Sequence, residues 1–106
     1  MRNIQMAKGA HTVVNRCARV KPGETVLIVT EPSRMSIAEE LGAAVCAAGG
    51  EPGFCSILPR ERDGQEPPAP AAAAMKAADV FLCVVGKSIT HTQAVKEAVA
   101  QGARGL

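Results

Sequence analysis

The sequence predicts an α/β domain of three layers, in which a short parallel sheet carries helices on both faces. Three apolar segments alternate along the chain with four segments of helical periodicity. The apolar segments lack polar alternation, which is typical of strands buried on both faces. Because crossovers between parallel strands are right-handed, the expected order is α-β-α-β-α-β-α, with the three strands arranged 2-1-3.

The composition indicates one small domain, covering residues 1–106, with an aliphatic core. The chain is 47% hydrophobic but contains no Trp or Tyr, and its only aromatic residues are Phe54 and Phe81. The net charge is +2, with acids and bases interspersed, so no basic stripe or set of stacking platforms favours nucleic acid. We therefore expect no nucleic-acid partner.

The sequence also indicates a reduced, cytoplasmic protein without membrane contact. No apolar run has the length of a membrane span, and the amino terminus does not resemble a secretory signal. The four cysteines, Cys17, Cys46, Cys55 and Cys83, form no C-x-x-C pair. Each lies in or beside apolar sequence, where a free thiol behaves as a small hydrophobe.

The first helix is predicted over about Asn3–Arg19, and a turn at Pro22 and Gly23 follows it. Its apolar residues recur at helical spacing, namely Met6, Ala10, Val13, Val14 and Cys17. The β-branched run Thr25–Thr30 is the first predicted strand.

The second helix is predicted to start with a capping box, in which Ser36 is the N-cap and Glu39 the third helical residue. Gly49 and Gly50 supply its C-terminal stop. Its expected buried stripe consists of Ile37, Leu41, Ala44, Val45 and Ala48.

The second strand is predicted within Glu51–Leu58, with Pro52 and Gly53 confining its pairing to the later half. The polar, proline-rich segment 59–70 is the most flexible loop that the sequence indicates. An alanine-rich helix follows it over about Pro70–Ala78.

The third strand is predicted over Asp79–Val85, and the last helix runs from near His91 to Gly102. This helix is expected to turn Ala94, Val95, Ala98 and Val99 inward. The remaining residues, "ARGL", resemble the approach to a fourth strand. An open sheet edge is a liability. We therefore expect either that the edge pairs in a homo-oligomer or, preferably, that this chain is a piece of a longer protein.

Such a sheet amounts to half of a flavodoxin- or Rossmann-like domain, in which ligands bind at the carboxyl ends of the strands where the strand order reverses. With the order 2-1-3, the loops after the first and third strands meet there. The expected substrate-binding residues are Glu31, Ser33 and Arg34 in the first loop and Lys87, Ser88, Thr90 and Thr92 in the second.

His91 has two interpretations. Thr90 and Gln93 have capping-box spacing, so His91 can be a solvated residue at the start of a helix, with Thr90 as N-cap. Alternatively, the helix dipole favours a neutral imidazole that can accept a proton, and Lys87 with the free N–H groups can hold an anion. His91 is then the candidate catalytic residue.

Several chemical signatures are missing. The sequence has no G-x-G-x-x-G and no P-loop pattern. His11 stands alone and is expected to be solvated, and no His, Asp and Glu cluster has metal-ligand spacing. His91 has no evident Ser or Cys partner for nucleophilic catalysis. We therefore expect no metal site within this chain.

Four stretches together carry a family resemblance: "MAKGAHTVVNRCARVKPGETVLIVTE", "IAEELGAAVCAAGGEP", "PPAPAAAAMKAADVFLC" and "SITHTQAVKEAVAQGAR". The chain resembles the amino-terminal domain of the thermophilic metallo-aminopeptidase family, which are leucyl aminopeptidases with two metal ions. The 2,5-dihydroxypyridine 5,6-dioxygenases, which use one iron, are related members of that superfamily.

The resemblance implies that the metal ligands, for Zn, Co or Fe, belong to a carboxyl-terminal partner domain that this sequence lacks. The amino-terminal domain packs over that domain and helps to form the substrate cleft. A substrate-side or proton-transfer role carries over only to His91. Three alternatives stay open: a cleft domain inactive alone, from an aminopeptidase-like or a ring-cleaving enzyme; a free-standing module that binds a small anion; and a self-assembling domain.

Overall fold

The structure, a computed structural model, describes residues 4–106. Its helices are α1 (Ile4–Thr12), α2 (Met35–Ala47), α3 (Ala69–Ala77) and α4 (Gln93–Ala100). Its strands are β1 (Thr25–Thr30), β2 (Glu51–Ser56), β3 (Val80–Val84) and β4 (Arg104–Gly105). A π-helical turn (Val13–Cys17) extends α1, and a 3-10 turn (Pro32–Arg34) precedes α2. The predicted helix start at Asn3 lies outside the described residues.

The four strands form one parallel sheet in the order β2-β1-β3-β4. The α/β class is confirmed, but the prediction of three strands is wrong. Arg104 and Gly105 pair with β3, and the ladder continues where the Leu106 amide donates to the Phe81 carbonyl at 3.0 Å. The segment "ARGL", expected only to approach a fourth strand, supplies that short strand itself.

Strand β2 pairs with β1 along its whole length, from Glu51 to Ser56, so the expected restriction to its later half is also wrong. The Glu51 amide donates to the Glu24 carbonyl at 2.8 Å, toward β1. Since successive amides of a strand point in opposite directions, Pro52 turns its missing donor to the outer edge. Proline is tolerated there because β2 is an edge strand.

Alternate residues of β1 and β3 point into two cores on opposite faces of the sheet. Helices α1 and α2 cover one face, and the core there includes Val14, Val26, Ile28, Leu41, Val45, Val80 and Leu82. Helices α3 and α4 cover the other, where the core includes Val29, Ile57, Met75, Phe81, Ile89 and Ala98. We call these the α1/α2 face and the α3/α4 face.

The π-helical turn changes which residue of the first helical segment points inward. The Ala18 amide donates to the Val13 carbonyl, five residues back, at 2.8 Å. This wider turn places one extra residue in the turn. Val14 and Ala18 are therefore buried, whereas Cys17, predicted to face the core, is exposed.

Helix α2 begins before the predicted capping box. Pro32 starts the 3-10 turn that leads directly into Met35, so Ser36 lies inside the helix and no side chain caps the amino terminus. The predicted box is wrong because Pro32, with its preset φ, starts a helical turn earlier. The C-terminal stop is as predicted, with Gly49 at φ +88°.

Within residues 4–106, no helix combines the length and the apolar character that crossing a membrane requires. The four cysteines are free thiols, of which Cys17 and Cys46 are exposed rather than buried among apolar residues.

Candidate functional site

The loops after β1 and β3 meet at the carboxyl edge of the sheet, as the strand order predicts. The Glu31 carboxylate lies between them: its Oε1 accepts a hydrogen bond from the Gly86 amide at 3.1 Å and another from Arg34 Nε at 3.3 Å. Glu31 is only 3% exposed. A buried carboxylate needs such partners to offset its lost hydration.

Local sequence explains this contact. Glu31 continues the extended backbone of β1, and Pro32 then starts the turn that carries Arg34 back toward the Glu31 side chain. Gly86 allows a close approach, since a Cβ there would lie 3.3 Å from Arg34 Nη2 and 3.5 Å from Glu31 Oε1. We call Glu31, Arg34 and Gly86 the rim clamp.

The hydroxyl groups of the second loop are occupied locally. Ser88 Oγ lies 3.0 Å from Thr90 Oγ1 and accepts a hydrogen bond from the Thr90 amide. The Ser88 amide donates to Asp63 Oδ1 at 2.9 Å, and the Gly64 amide donates to the Ser88 carbonyl at 2.8 Å. The proline-rich loop, expected to be the most flexible segment, is thus bound to the segment that follows β3.

Glu66, in the same loop, caps the amino terminus of α4. Its two carboxylate oxygens accept hydrogen bonds from the amides of Gln93, at 2.8 Å, and Ala94, at 3.1 Å. A carboxylate is favourable there because helix amino termini carry unsatisfied N–H groups and a positive dipole end. The backbone amides at the start of α4, which were expected to hold an anionic ligand, therefore bind the Glu66 carboxylate instead.

The N-cap of α4 is Thr92 and not Thr90, so the predicted capping box is wrong. Thr92 Oγ1 accepts from the Val95 amide at 3.3 Å and donates to the Ile89 carbonyl at 2.6 Å. Thr92 and Ile89 are both 1% exposed. Their burial fixes the helix start two residues later than the spacing predicted, and it leaves Thr92 no hydroxyl for a ligand.

The other candidate side chains face solvent. Ser33, Lys87 and His91 are exposed, and no hydrogen bond or ion pair ties their side chains to other residues of the range 4–106. His91 lies in the turn before α4 rather than inside the helix. Of the predicted site residues, the structure joins Glu31 to Arg34 directly and Ser88 to Thr90.

The described residues contain no group of three or more His, Cys, Asp or Glu side chains that could hold a metal ion. The donors needed for a zinc, cobalt or iron site do not come together within residues 4–106.

Two strong pKa shifts lie away from the rim clamp. The ion pair with Arg104 lowers the pKa of Glu24 from 4.5 to about 2. Burial raises the pKa of the Cys83 thiol to about 11, so Cys83 is a neutral thiol at physiological pH. The Glu24–Arg104 pair stabilises the amino end of the sheet, and Cys83 lies in β3.

Sequence analysis missed three participants of this edge: Gly86 as a donor, and Asp63 and Glu66 as acceptors. One signal was available for Glu66, because the first turn of α4 has no acidic residue of its own. The chain has to cross from β2 to α3 beside that turn, and an acid in the crossing loop can supply the cap.

These observations define the class of domain: a parallel α/β sheet whose carboxyl-edge loops converge beside a buried carboxylate. No protein-family model matches the chain, and no curated protein matches it. Among solved structures, the chain is similar to the 2,5-dihydroxypyridine dioxygenase from Pseudomonas putida KT2440, with a TM-score of 0.80 and 12% sequence identity. The match covers 99% of this chain and 34% of that chain.

At this identity the similarity shows the fold alone. The chain spans about a third of the length of the dioxygenase, since the match covers 34% of it. The dioxygenase contains the same fold as this chain, and none of the comparisons supports a link to aminopeptidases.

Proposed function

We propose that this chain is a cleft-forming α/β domain of a metal-dependent enzyme of the 2,5-dihydroxypyridine dioxygenase type. The observation that carries the proposal is the TM-score of 0.80 over 99% of this chain, against a dioxygenase of which it covers 34%. The metal and its ligands belong, on this proposal, to a separate domain. That domain is the principal partner.

The carboxyl edge is the proposed substrate-facing surface. The rim clamp is rigid, because the buried Glu31 carboxylate binds both Gly86 and Arg34. Three exposed residues lie near the clamp residues in the sequence and are free to contact a ligand, namely Ser33, Lys87 and His91. On this proposal Arg34 and Lys87 donate hydrogen bonds to a ring oxygen of the substrate, and His91 accepts or donates a proton at its ring nitrogen.

The proposal predicts binding without turnover. We expect weak binding of 2,5-dihydroxypyridine to the isolated chain, with amide NMR shifts confined to residues 31–34 and 86–92. Adding Fe²⁺ is expected to produce no ring cleavage, because no described side-chain group can hold the metal. Arg34→Gln should weaken binding, whereas Lys96→Gln, which removes an exposed charge from α4, should not. Shifts elsewhere, or none at millimolar ligand, would overturn the proposal.

The alternative proposal is that the parent enzyme is an aminopeptidase. This interpretation rests on the four sequence stretches quoted above alone. It is distinguished by the same titration with leucinamide in place of the hydroxylated ring. Shifts at residues 86–92 with leucinamide, and none with the ring compound, would favour it. Cleavage of a leucyl substrate by the chain with added Co²⁺ or Zn²⁺ would contradict both forms of the proposal.

Self-association is a second candidate, which the β4 edge favours. Arg104 and Gly105 are exposed, and Val99 and Leu106, each 53% exposed, lie beside them around one small cavity. Exposed strand edges beside apolar residues favour pairing. Light scattering should then show a dimer that Val99→Lys dissociates; a monomer at high concentration would exclude it.

A further inference from the structure

An apolar groove of about 480 Å³ opens on the α1/α2 face. Its floor is β3, through Leu82 and Val84, and its walls are α1 and α2, through residues that include Ala10, Val13, Ile37 and Leu41. Val13, Ile37 and Val84 are half-buried, so the groove reaches solvent. Its volume lies in the range of small-molecule sites, about 300–1,000 Å³.

Gly9 lies in the wall of this groove, and its lack of a side chain has no packing reason. A glycine inside a helix costs roughly 0.5–1 kcal/mol relative to alanine. Gly42 in α2 has such a reason, since a Cβ there would lie 2.5 Å from the Phe54 ring. A Cβ on Gly9 would meet nothing within 4 Å. The glycine therefore lowers helix stability and leaves its position in the groove wall without a side chain.

Arg34 is not a lining residue of the groove, but it lies close in the chain or in space to neighbours of two lining residues, Ile37 and Val84. Val80, Leu82 and Val84 of β3 face α1 and α2, and Gly86 follows two residues beyond Val84. Arg34 Nη2 lies 3.3 Å from the position of a Cβ on Gly86, and Ile37, which lines the groove, is one helical turn after Arg34. This connectivity places the guanidinium, whose side chain is 44% exposed, beyond the Val84 end of the groove rather than in its lining.

We propose that the groove binds a small carboxylic acid with an apolar body, whose chain lies between α1 and α2 and whose carboxylate pairs with Arg34. Glu31 takes only the Nε edge of the guanidinium, at 3.3 Å. The Nη1 and Nη2 groups make no other hydrogen bond within the described chain, and this edge matches a carboxylate in a two-point pairing. The site is separate from the carboxyl-edge function proposed above, apart from their sharing Arg34.

The charges around Arg34 set the ligand class. The Glu31 carboxylate neutralises part of the guanidinium charge, which disfavours a dianion more than a monoanion. The rest of the groove offers no cation or anion among its lining residues. An apolar monocarboxylate suits both the apolar groove and the Arg34 guanidinium, whereas a protonated amine would be repelled by the like charge of Arg34.

The test is a titration of the chain with octanoate, monitored by methyl and amide NMR and by calorimetry. Octanoate should bind and shift the methyl signals of Ile37, Leu82 and Val84. Octanol, which has the same chain length without charge, should bind about tenfold more weakly, and acetate should not bind. Arg34→Gln should weaken octanoate about tenfold and leave octanol unchanged, while Lys96→Gln should change neither.

Gly9→Leu provides the second arm. The new side chain should fill the groove and abolish octanoate binding, while the melting temperature stays equal or rises, because leucine favours a helix over glycine. Equal binding of octanoate and octanol, unchanged binding in Gly9→Leu, or methyl shifts outside the groove would each overturn the proposal. The carboxyl-edge proposal is tested by the amide shifts of residues 31–34 and 86–92 when 2,5-dihydroxypyridine is added. The groove proposal is tested by the methyl shifts when octanoate is added, so the failure of one is distinguishable from the failure of the other.

Discussion

The two faces of the sheet are covered by the same number of helices, and each face keeps a groove in a different place. On the α3/α4 face, Met75 and Ala98 are 0% exposed, and Phe81 and Ile89 are 2% and 1% exposed. On the α1/α2 face, a groove of about 480 Å³ remains between the helices. On the α3/α4 face a groove of about 440 Å³ lies between α3 and the strands β1 and β2. The comparison shows that two helices do not close either face of the sheet completely.

The two faces also differ in where they are sealed. Asp63 and Glu66 join the proline-rich loop to the segment before α4 and close the carboxyl end of the α3/α4 face. On the other face the amino end is closed, since Arg104 binds Glu24 Oε1 at 2.7 Å and the carbonyls of Ala18 and Arg19 at 3.3 Å.

The largest expected contrast comes from truncating one helix residue on each face. Met75→Ala should lower the free energy of unfolding by about 3 kcal/mol, because it leaves a cavity in a closed core. Ile37→Ala, at a half-buried residue that lines the groove, should cost about 1 kcal/mol. Urea denaturation measures both. Equal losses would mean that the groove is packed in solution.

The next largest effect on stability is expected at Glu66, which joins the proline-rich loop to the amino terminus of α4. Glu66→Gln should lower the free energy of unfolding by about 1 kcal/mol, since it weakens two charge-assisted bonds to the amides of Gln93 and Ala94. Hydrogen exchange of those two amides should accelerate. Glu61→Gln, in the same loop, is the matched control, as its side chain makes no contact with α4. Unchanged exchange in Glu66→Gln would show that the loop does not hold the helix.

The seal at the amino end makes stability depend on pH. Arg104 lowers the pKa of folded Glu24 from 4.5 to about 2, so the unfolded chain binds a proton first as the solution is acidified. The contribution is therefore complete above pH 4.5 and is lost as the pH falls toward about 2. Arg104→Met should remove it.

Because the Arg104–Glu24 pair is open to solvent, we expect a loss of about 1 kcal/mol at neutral pH and a flatter acid limb in thermal melts. Lys76→Gln is the control on the opposite face. It removes the exposed pair with Glu97, whose atoms lie 3.0 Å apart, and should change stability less. An unchanged acid limb in Arg104→Met would contradict the assignment.

The smallest effect is chemical rather than energetic. At pH 8, iodoacetamide should label the exposed Cys17 and Cys46 first and Cys83 last, because burial raises the pKa of Cys83 to about 11. Mass spectrometry of timed samples gives the order. Early labelling of Cys83 would indicate that β3 is accessible through the groove.

The fold class, the order of the first three strands and the meeting of two loops at one edge follow from sequence, because apolar runs and right-handed crossovers are strong constraints. The helix starts do not. Both predicted capping boxes had the right spacing, but Pro32 starts α2 earlier, and the buried Ile89 and Thr92 start α4 later. Capping patterns are local, and these outcomes depend on packing.

The positions of the loop residues were predicted better than their contacts, and their role in a site stays a prediction. Glu31 and Arg34 follow a buried strand, so their place at the edge could be expected. The roles of Asp63 and Glu66 could not, because a polar, proline-rich loop gives no sign of where it docks. The inward orientation of Val99 was wrong, since α4 buries Ala94 and Ala98 and leaves Val99 53% exposed. A helix of eight residues buries only a narrow stripe.

Pro52 makes the β2 edge of the sheet unfavourable for the addition of a further strand. An incoming strand, whether from a peptide or from another polypeptide, must exchange hydrogen bonds with the outermost strand, and β2 presents no donor at this residue. Extension is accordingly favoured beyond β4. Any molecule that lengthens this sheet would therefore settle next to Leu106, alongside the groove, and would influence what the groove admits.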